Sequence, residues 1–168
     1  LGRNGSGKST LLKIVAGLES APDRCVRINS NSLNAKNVLM NMVSYLGQDQ
    51  FVPNHLSVQK VISLSIDKKD RTSFYEDEFI KGLLAKKIKH LSTGELRYLE
   101  VKLVLSNPSL FVLLDEPYNG LSPLMIEKIA EMINANLNKK GIIVTDHNYQ
   151  DVTKIASKLV LIKDGKTH

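Results

Sequence analysis

Apolar residues along the chain fall into two patterns, continuous short runs and stretches of helical spacing. Runs at residues 42–46, 110–114 and 142–145 have the length of buried strands, and shorter strands are expected at 25–28 and 159–162. Apolar positions three and four apart predict helices at residues 8–16, 57–64, 73–85, 92–104, 122–137 and 149–156. Strands that alternate with helices predict an α/β fold, with a mostly parallel sheet flanked by helices.

Polar residues mark where several of these elements begin or end. Gly17 is a natural helix end, and Ser57 is a natural helix start. Ser92 and Glu95 form a capping-box pattern, and Ser122 precedes a proline at the first helical position. A loop is expected over residues 29–37 and a turn at 164–165.

The pattern divides the chain into three parts. Residues 51–90 hold short amphipathic helices without an alternating strand, which predicts a helical subdomain inserted into an α/β core. We expect residues 1–50 to form the first part of the core and residues 91–168 the rest. Only Leu1 precedes the glycine-rich opening, and no initiator Met is present, so we also expect that opening strands of the core are missing.

Composition narrows the class of protein. The 168 residues suit one domain, and no stretch approaches the roughly 20 apolar residues of a membrane span. Cys25 is the single cysteine, which favours a reducing cytoplasm. The net charge of +6 is scattered and only 5% of residues are aromatic, so no nucleic-acid partner is expected. The densest basic run, residues 86–90, is open to two interpretations, a solvated surface or a contact with a partner or phosphate.

The first ten residues carry the clearest chemical pattern. Gly2, Gly7, Lys8 and Ser9 fit the phosphate-binding pattern G-x-x-x-x-G-K-[ST]. Glycines let backbone N–H groups turn towards an anion, and the following helix adds its positive end. The lysine reaches phosphates and the Ser9 hydroxyl ligates Mg²⁺. The candidate nucleotide-binding residues are Asn4, Gly5, Ser6, Gly7, Lys8, Ser9 and Thr10.

Polar residues also follow three of the predicted strands. In a parallel sheet, ligands bind at the carboxyl ends of strands, where Gln48, Asp115, Glu116 and His147 are expected. Asp115 suits Mg²⁺, Glu116 suits the activation of a water molecule, and Gln48 has the reach to contact both. His147 suits either a hydrogen bond to the γ-phosphate or a contact that holds that water molecule. Taken singly, Gln48 also fits a loop amide, His147 a surface histidine and the carboxylates a helix-start charge pair.

The order of these motifs resembles the ATP-binding cassette (ABC) ATPase family over nearly the whole chain. The resemblance implies a P-loop NTPase fold in which Gln48 is the Q-loop glutamine and residues 51–90 meet transmembrane partners. Residues 91–95 stand where the family has its L-S-G-G-Q signature, residues 120–122 lie in its D-loop, and His147 is its switch histidine.

The same resemblance implies cofactors and partners. These are ATP, Mg²⁺ held by Ser9, Gln48 and Asp115, a second cassette in a homodimer or heterodimer, and transmembrane permease subunits. Ser92 and the Gly94 amide are then expected to contact a γ-phosphate bound by the other cassette. From the residues alone, the capping box is equally able to satisfy itself internally. The implied location is cytoplasmic, peripheral on the inner face of the cell membrane.

The chain departs from the family pattern at three positions. Thr93 replaces the first signature glycine, Glu95 replaces the glutamine, and Ser122 replaces the D-loop aspartate. The aromatic residue that stacks on adenine is expected before Leu1. Residues 95–100 and 145–148 look like the branch that serves branched-chain amino-acid uptake and lipopolysaccharide export.

Three functions remain in competition at this level. The leading prediction is the ATP-hydrolysing subunit of an ABC transporter with an unknown substrate. The alternative is a soluble ABC-type ATPase in translation or DNA maintenance, although neither coiled-coil heptads nor a second cassette is present in the sequence. A P-loop small-molecule kinase explains Lys8 but neither the pattern at 92–95 nor His147.

Overall fold

The protein is described from a computed structural model over residues 1–28, 31–32, 42–163 and 165–167. Its helices are α1 Lys8–Ala16, α2 Val58–Ser65, α3 Thr72–Tyr75, α4 Glu78–Lys81, α5 Thr93–Ser106, α6 Pro123–Asn134 and α7 Tyr149–Ile155. Its strands are β1 Arg27–Ile28, β2 Asn31–Ser32, β3 Val43–Leu46, β4 Phe111–Asp115, β5 Gly141–Thr145, β6 Ile162–Lys163 and β7 Lys166–Thr167.

A three-stranded parallel sheet in the order β3-β4-β5 organises the core. Successive side chains of a strand point to opposite faces, and both faces of β4 are covered. Val112 and Leu114 pack with residues of α5 and α6, whereas Leu113 packs with Leu12 and Ala16 of α1. The predicted α/β fold with a parallel, helix-flanked sheet is therefore confirmed.

A second apolar cluster lies in the helical region that follows β3. Its buried members are Val52, Val58, Val61, Ile62, Ile66, Phe74, Ile80, Leu83, Ile88, Leu99 and Leu103. The last two residues belong to α5, whose other face packs on the sheet through Val101 and Leu105. Helix α5 therefore joins the helical region to the core.

Local start and stop signals predict several boundaries correctly. Helix α1 has the predicted bounds and ends at Gly17. Ser57 caps α2 by accepting a hydrogen bond from the Lys60 amide at 3.2 Å. At the start of α5, Ser92 Oγ accepts from the Glu95 amide and a Glu95 carboxylate oxygen accepts from the Ser92 amide, which completes the capping box.

The single helix predicted at residues 73–85 is wrong. Two short helices, α3 and α4, occupy this stretch and are separated by Asp77. The Asp77 carboxylate accepts hydrogen bonds from the amides of Phe79 and Ile80, both at 3.0 Å, and so starts α4 anew. Ile80 and Leu83 are buried as expected.

The prediction of a fully buried strand at 142–145 is also wrong. Among the described residues, β5 pairs with β4 alone, and Ile143 on one of its faces is 47% exposed. The helix expected over 122–137 ends at Asn134, which leaves Leu137 exposed. Ser122 makes no side-chain capping bond there, so Pro123 supplies the start signal.

The peripheral strands are shorter than predicted. Only two residues of the stretch 25–28 are in β1, which pairs with β2 inside the loop expected over 29–37. The rest of that loop, and Asp164 of the predicted turn, lie outside the described residues. The strand expected at 159–162 begins only at Ile162. Leu1 is hydrogen-bonded to this stretch at two points, since its amine donates to Val160 O and its carbonyl accepts from the Ile162 amide.

Within the described part of the chain, no helix has the length and apolar character needed to cross a membrane.

Candidate functional site

The opening loop has the backbone shape of an anion-binding turn. Gly5 and Gly7 have φ values of 79° and 93°, a left-handed conformation that other residues adopt only with strain. Gly7 is also the residue before α1, so free backbone N–H groups of the first helical turn follow directly. This loop can therefore direct several amides at one bound phosphate.

Lys8 is held inside this loop. Its amine donates hydrogen bonds to the carbonyls of Gly2 at 2.9 Å and Arg3 at 3.0 Å, and the residue is buried. An ammonium group has three N–H donors, so a further donor is left for a phosphate oxygen. The Ser6 amide, in contrast, donates to Arg3 O, and the Ser6 hydroxyl is buried without a hydrogen-bond partner in the described structure.

A cavity of about 340 Å³ lies over the loop and brings two of the predicted strand-end residues to it. Gln48, just after β3, donates from Nε2 to Ser9 Oγ at 3.4 Å. Glu116, just after β4, lines the same cavity. The other lining residues are Asn4, Gly5, Gly7, Lys8, Ser9 and Thr10. One space is therefore bounded by an anion-binding loop, a hydroxyl, an amide and a carboxylate.

Asp115 does not line this cavity and is 1% exposed. Both of its carboxylate oxygens accept hydrogen bonds from neighbouring strands, Oδ1 from the Thr145 hydroxyl at 2.6 Å and Oδ2 from the Tyr45 hydroxyl at 3.1 Å. Burial, together with the charge and hydrogen bond of Asp115, raises the pKa of Tyr45 well above its usual value. Tyr45 therefore stays a proton donor to this carboxylate at neutral pH.

Glu116 has an unusual backbone conformation. Its φ of 49° is in the left-handed region, and among the described residues it alone combines positive φ with a side chain. Its amide donates to Thr145 O at 2.7 Å, which extends the pairing of β4 with β5, and the chain then enters a turn in which the Asn119 amide donates to Glu116 O at 3.3 Å. Strain of this kind persists only where surrounding contacts maintain it, and it clusters at functional sites.

His147 lies after β5 and is not among the residues that line the loop cavity. Its side chain is 53% exposed, with Nδ1 3.5 Å from a carboxylate oxygen of Asp146. Asp146 is buried and accepts hydrogen bonds from the amides of Tyr118 and Asn148. The structure thus anchors the turn that carries His147 and leaves its imidazole accessible.

Ser92 and Gly94 lie at the start of α5, apart from the loop cavity. The Ser92 amide is the main cause that lowers the pKa of the Glu95 carboxyl, with Lys86 adding to it across a 2.9 Å ion pair. A side chain at Gly94 would place its Cβ 3.0 Å from Met125 Cγ of α6. The capping box is therefore satisfied internally, and the helix start faces outward with close packing behind it.

A smaller recess of about 240 Å³ shares Gln48 and Glu116 with the loop cavity. It is also lined by Thr93, Arg97 and Glu100 of α5. The sequence analysis did not identify Arg97, Glu100 or Tyr45 as site residues. Arg97 and Glu100 on the helix and Tyr45 on β3 give no local sign of these roles, because most of their partners come from other elements.

The oxygen and nitrogen groups at this site decide whether it can hold Mg²⁺ and a nucleotide. Among the described residues, no three or more His, Cys, Asp or Glu side chains cluster closely enough to hold a metal ion. Mg²⁺ at phosphate sites is commonly bound through one or two protein oxygens together with phosphates and water. The Ser9 hydroxyl and the Gln48 side-chain amide at the cavity offer oxygens of that type, whereas the buried Asp115 carboxylate is not among the residues that line it. The residues therefore fit a magnesium–nucleotide complex.

Comparison with known proteins identifies the chain's relatives. The sequence model of a protein family described as "ABC transporter" matches residues 1–119. An uncharacterized ABC transporter ATP-binding protein of Rhizobium meliloti is 28% identical over 99% of this chain and 66% of its own length. The thiamine import ATP-binding protein ThiQ of Photorhabdus laumondii is 25% identical over 100% and 76%. The lipopolysaccharide export system ATP-binding protein LptB of Haemophilus influenzae is 27% identical over 99% and 75%.

Solved structures share the fold. The ATP-binding subunit of an ABC transporter has a TM-score of 0.84 at 19% identity, covering 100% of this chain and 76% of its own. An ATP-binding cassette in a dimeric post-hydrolysis state with ADP and Pi has a TM-score of 0.81 at 20% identity, with 99% and 82% covered.

Proposed function

Because the chain belongs to the ABC transporter family, we propose that it binds ATP and hydrolyses it as part of the ATP-binding subunit of a transporter. The observation that carries the proposal is the cavity that the phosphate-binding loop, Gln48 and Glu116 line together. A small-molecule kinase would need the loop but neither the capping box at Ser92 nor the strand-end residue His147. The family match also extends through the capping box and Glu116.

We propose a role for each site residue. Amides at residues 4–10, other than that of Ser6, bind the β- and γ-phosphates together with the Lys8 amine. Ser9, Gln48 and Asp115 would hold Mg²⁺, Asp115 through bound water, and the ion would neutralise charge on the phosphates. Glu116 accepts a proton from the attacking water, Gln48 orients that water, and His147 donates to the γ-phosphate.

The second half of the site is proposed to come from another cassette. A helix start with free amides and a serine hydroxyl attracts anions, and the start of α5 faces outward. Ser92 and the Gly94 amide would therefore contact a γ-phosphate bound by the partner cassette, in a homodimer or a heterodimer. A solved structure with a similar fold is a dimeric ATP-binding cassette bound to ADP and Pi.

The remaining partners follow from the same assignment. We propose core segments at 1–50 and 91–168, with residues 51–90 as a helical subdomain that contacts permease subunits at the inner face of the cell membrane. Relatives named for thiamine import and for lipopolysaccharide export are 25% and 27% identical to this chain. Two identity values this close favour neither a branch nor a transport direction. Both relatives are named for transport, which favours a transporter over an ATPase of translation or DNA maintenance.

The test is nucleotide binding and hydrolysis by the full-length protein. Lys8→Ala should abolish ATP binding because it removes the amine inside the phosphate-binding loop. Lys13→Ala is a matched control on the same helix, where Lys13 is half exposed and pairs with Glu19 at 3.6 Å. Equal ATP affinity of the Lys8 variant and the parent protein would refute the site. Co-purification with ribosomes instead of membrane subunits would favour the soluble alternative.

A further inference from the structure

Arg97 is a buried cation whose hydrogen-bond acceptors are all backbone carbonyls. The residue is 8% exposed on α5. Its Nη1 donates to Gly47 O at 2.8 Å, and its Nη2 donates to Asp115 O at 2.9 Å and to Glu116 O at 3.1 Å. One guanidinium therefore joins three elements, namely α5, the segment after β3 and the end of β4.

The acceptors belong to the two segments that supply the catalytic side chains. Gly47 immediately precedes Gln48, and the Glu116 carbonyl belongs to the proposed water-activating residue itself. Glu116 also has a φ of 49°, so its backbone depends on outside contacts to keep that conformation. Arg97 and Thr145 supply such contacts, at the carbonyl and the amide respectively.

Glu100 completes the arrangement one helical turn further along α5. It is 2% exposed, and its Oε2 lies 3.7 Å from Arg97 Nη1. Its Oε1 accepts a hydrogen bond from the Phe51 amide at 3.0 Å. The Arg97–Glu100 pair thus holds the segment after β3 at both Gly47 and Phe51, on either side of Gln48.

We propose that Arg97 is a positioning residue for ATP hydrolysis, which holds Glu116 and the Gln48 segment in their reactive arrangement and connects both to the start of α5. This inference rests on the proposed function. It adds a role for a residue that acts through the backbone of the segments that carry Gln48 and Glu116.

The chemistry of the side chain explains why arginine suits this role. A guanidinium is planar and presents five N–H donors in a fixed fork, so two strand ends are held at a set separation. A lysine ammonium is a compact point charge on a flexible stem and cannot reproduce that geometry. Arg97 also lies five residues after Ser92 on one helix. A phosphate bound at the helix start therefore acts on the same rigid element that holds Glu116.

The test separates turnover from binding in the full-length protein. In Arg97→Met and Arg97→Lys, kcat should fall by about tenfold or more while KM for ATP changes by less than about threefold. Arg71→Met is the matched control, because Arg71 also donates to two backbone carbonyls, of Ile66 and Ser63, within the helical region. Full turnover in both Arg97 variants would overturn the proposal, as would an equal loss in the Arg71 variant.

A second comparison shows whether Arg97 acts through Glu116. In a Glu116→Gln background, Arg97→Met should lower the residual kcat by less than about twofold, because groups that act as a unit are not additive. A full additional tenfold loss would overturn the proposal. The double variant Arg97→Met/Glu100→Gln also removes the buried Glu100 carboxylate, which loses its ion-pair partner in Arg97→Met. It should recover stability without recovering kcat, and recovery of both would indicate a structural role only.

Hydrogen exchange keeps the two proposals distinguishable. Amides at residues 47–52 and 115–119 should exchange faster in Arg97→Met than in the parent or in Arg71→Met, with α1 unchanged. If the parent protein lacks ATPase activity, the proposed function fails, and this measurement still decides whether Arg97 holds the two segments. Unchanged exchange there would overturn the positioning role.

Discussion

The hydroxyl of Tyr45 donates a hydrogen bond to Oδ2 of Asp115 at 3.1 Å, which joins β3 to the end of β4 through their side chains. Thr145 occupies the other carboxylate oxygen from β5, so all three strands of the sheet meet at Asp115. The orientation of this carboxylate is therefore fixed by two hydroxyls before any ligand binds.

We expect Tyr45→Phe to weaken both the fold and the metal site. Loss of a hydrogen bond to a buried charged group should lower the free energy of unfolding by about 1–3 kcal/mol. With Asp115 less firmly oriented, hydrolysis should also need a higher Mg²⁺ concentration for half-maximal rate. Urea unfolding and a Mg²⁺ titration measure the two effects. Tyr75→Phe, in the helical region, is the control, and an unchanged Mg²⁺ requirement for Tyr45→Phe would contradict the expectation.

The strained backbone at Glu116 predicts that two variants at this position differ in stability but lose activity alike. Glu116→Gly should be more stable than Glu116→Ala by about 1 kcal/mol, because glycine adopts positive φ without a steric penalty. Both variants should lose hydrolysis by orders of magnitude while still binding ATP, since the carboxylate is gone. Denaturant unfolding, ATP affinity and turnover separate these effects. Equal stability of the two variants would argue against strain at this position.

The capping box predicts a pair of variants that are matched in stability and differ in function. Ser92→Ala and Glu95→Ala should each cost about 1 kcal/mol, because each leaves a helix-start amide without its acceptor. Only Ser92→Ala also removes the hydroxyl proposed to contact a phosphate of the partner cassette. ATP-dependent dimerisation, measured by size-exclusion chromatography with light scattering, should therefore be weaker in Ser92→Ala than in Glu95→Ala. Identical dimerisation of the two variants would contradict a contact with the partner's nucleotide.

The Asp77 carboxyl makes the free energy of unfolding depend on pH in the acidic range. Burial acts to raise the pKa of its carboxyl, but hydrogen bonds from Lys102, the Ile80 amide and Tyr98 outweigh it and hold that pKa below 3.8. Since the folded pKa is lower than the unfolded pKa, the stabilisation is present above about pH 4 and is lost as pH falls through the folded pKa.

Asp77→Asn should therefore be less stable than the parent at pH 7 by about 1–3 kcal/mol, and the difference should shrink towards pH 3. Urea unfolding across that range measures it. Asp67→Asn serves as the control, because Asp67 is exposed and makes no side-chain capping bond. A difference that stays constant with pH would show that ionisation of Asp77 contributes nothing.

Features that depend on neighbouring residues were predictable from sequence. The bounds of α1 and the capping box of α5 follow from residues within one helical turn of each boundary, so no distant contact is needed to predict them. The break at Asp77 also has a local signal, because an aspartate is a favoured capping residue at the start of a helix. The continuous apolar spacing of Phe79, Ile80 and Leu83 concealed it.

Features that depend on distant contacts were not predictable. The exposure of Ile143 is decided by what packs against its face of β5, and an apolar run carries no information about its neighbours. The same holds for Arg97, whose acceptors are 50, 18 and 19 residues away along the chain. The sequence pattern placed Gln48 and Glu116 at strand ends, but only the fold reveals that one guanidinium holds both segments.

The choice of acceptors by Arg97 has a consequence for mutational tolerance. Carbonyl oxygens at positions 47, 115 and 116 persist whatever side chain is present, so sequence drift at these acceptors cannot abolish the hydrogen bonds directly. The network is therefore unequal: replacing Arg97 removes all three hydrogen bonds at once, whereas replacing a side chain on the acceptor side leaves the carbonyl oxygen in place.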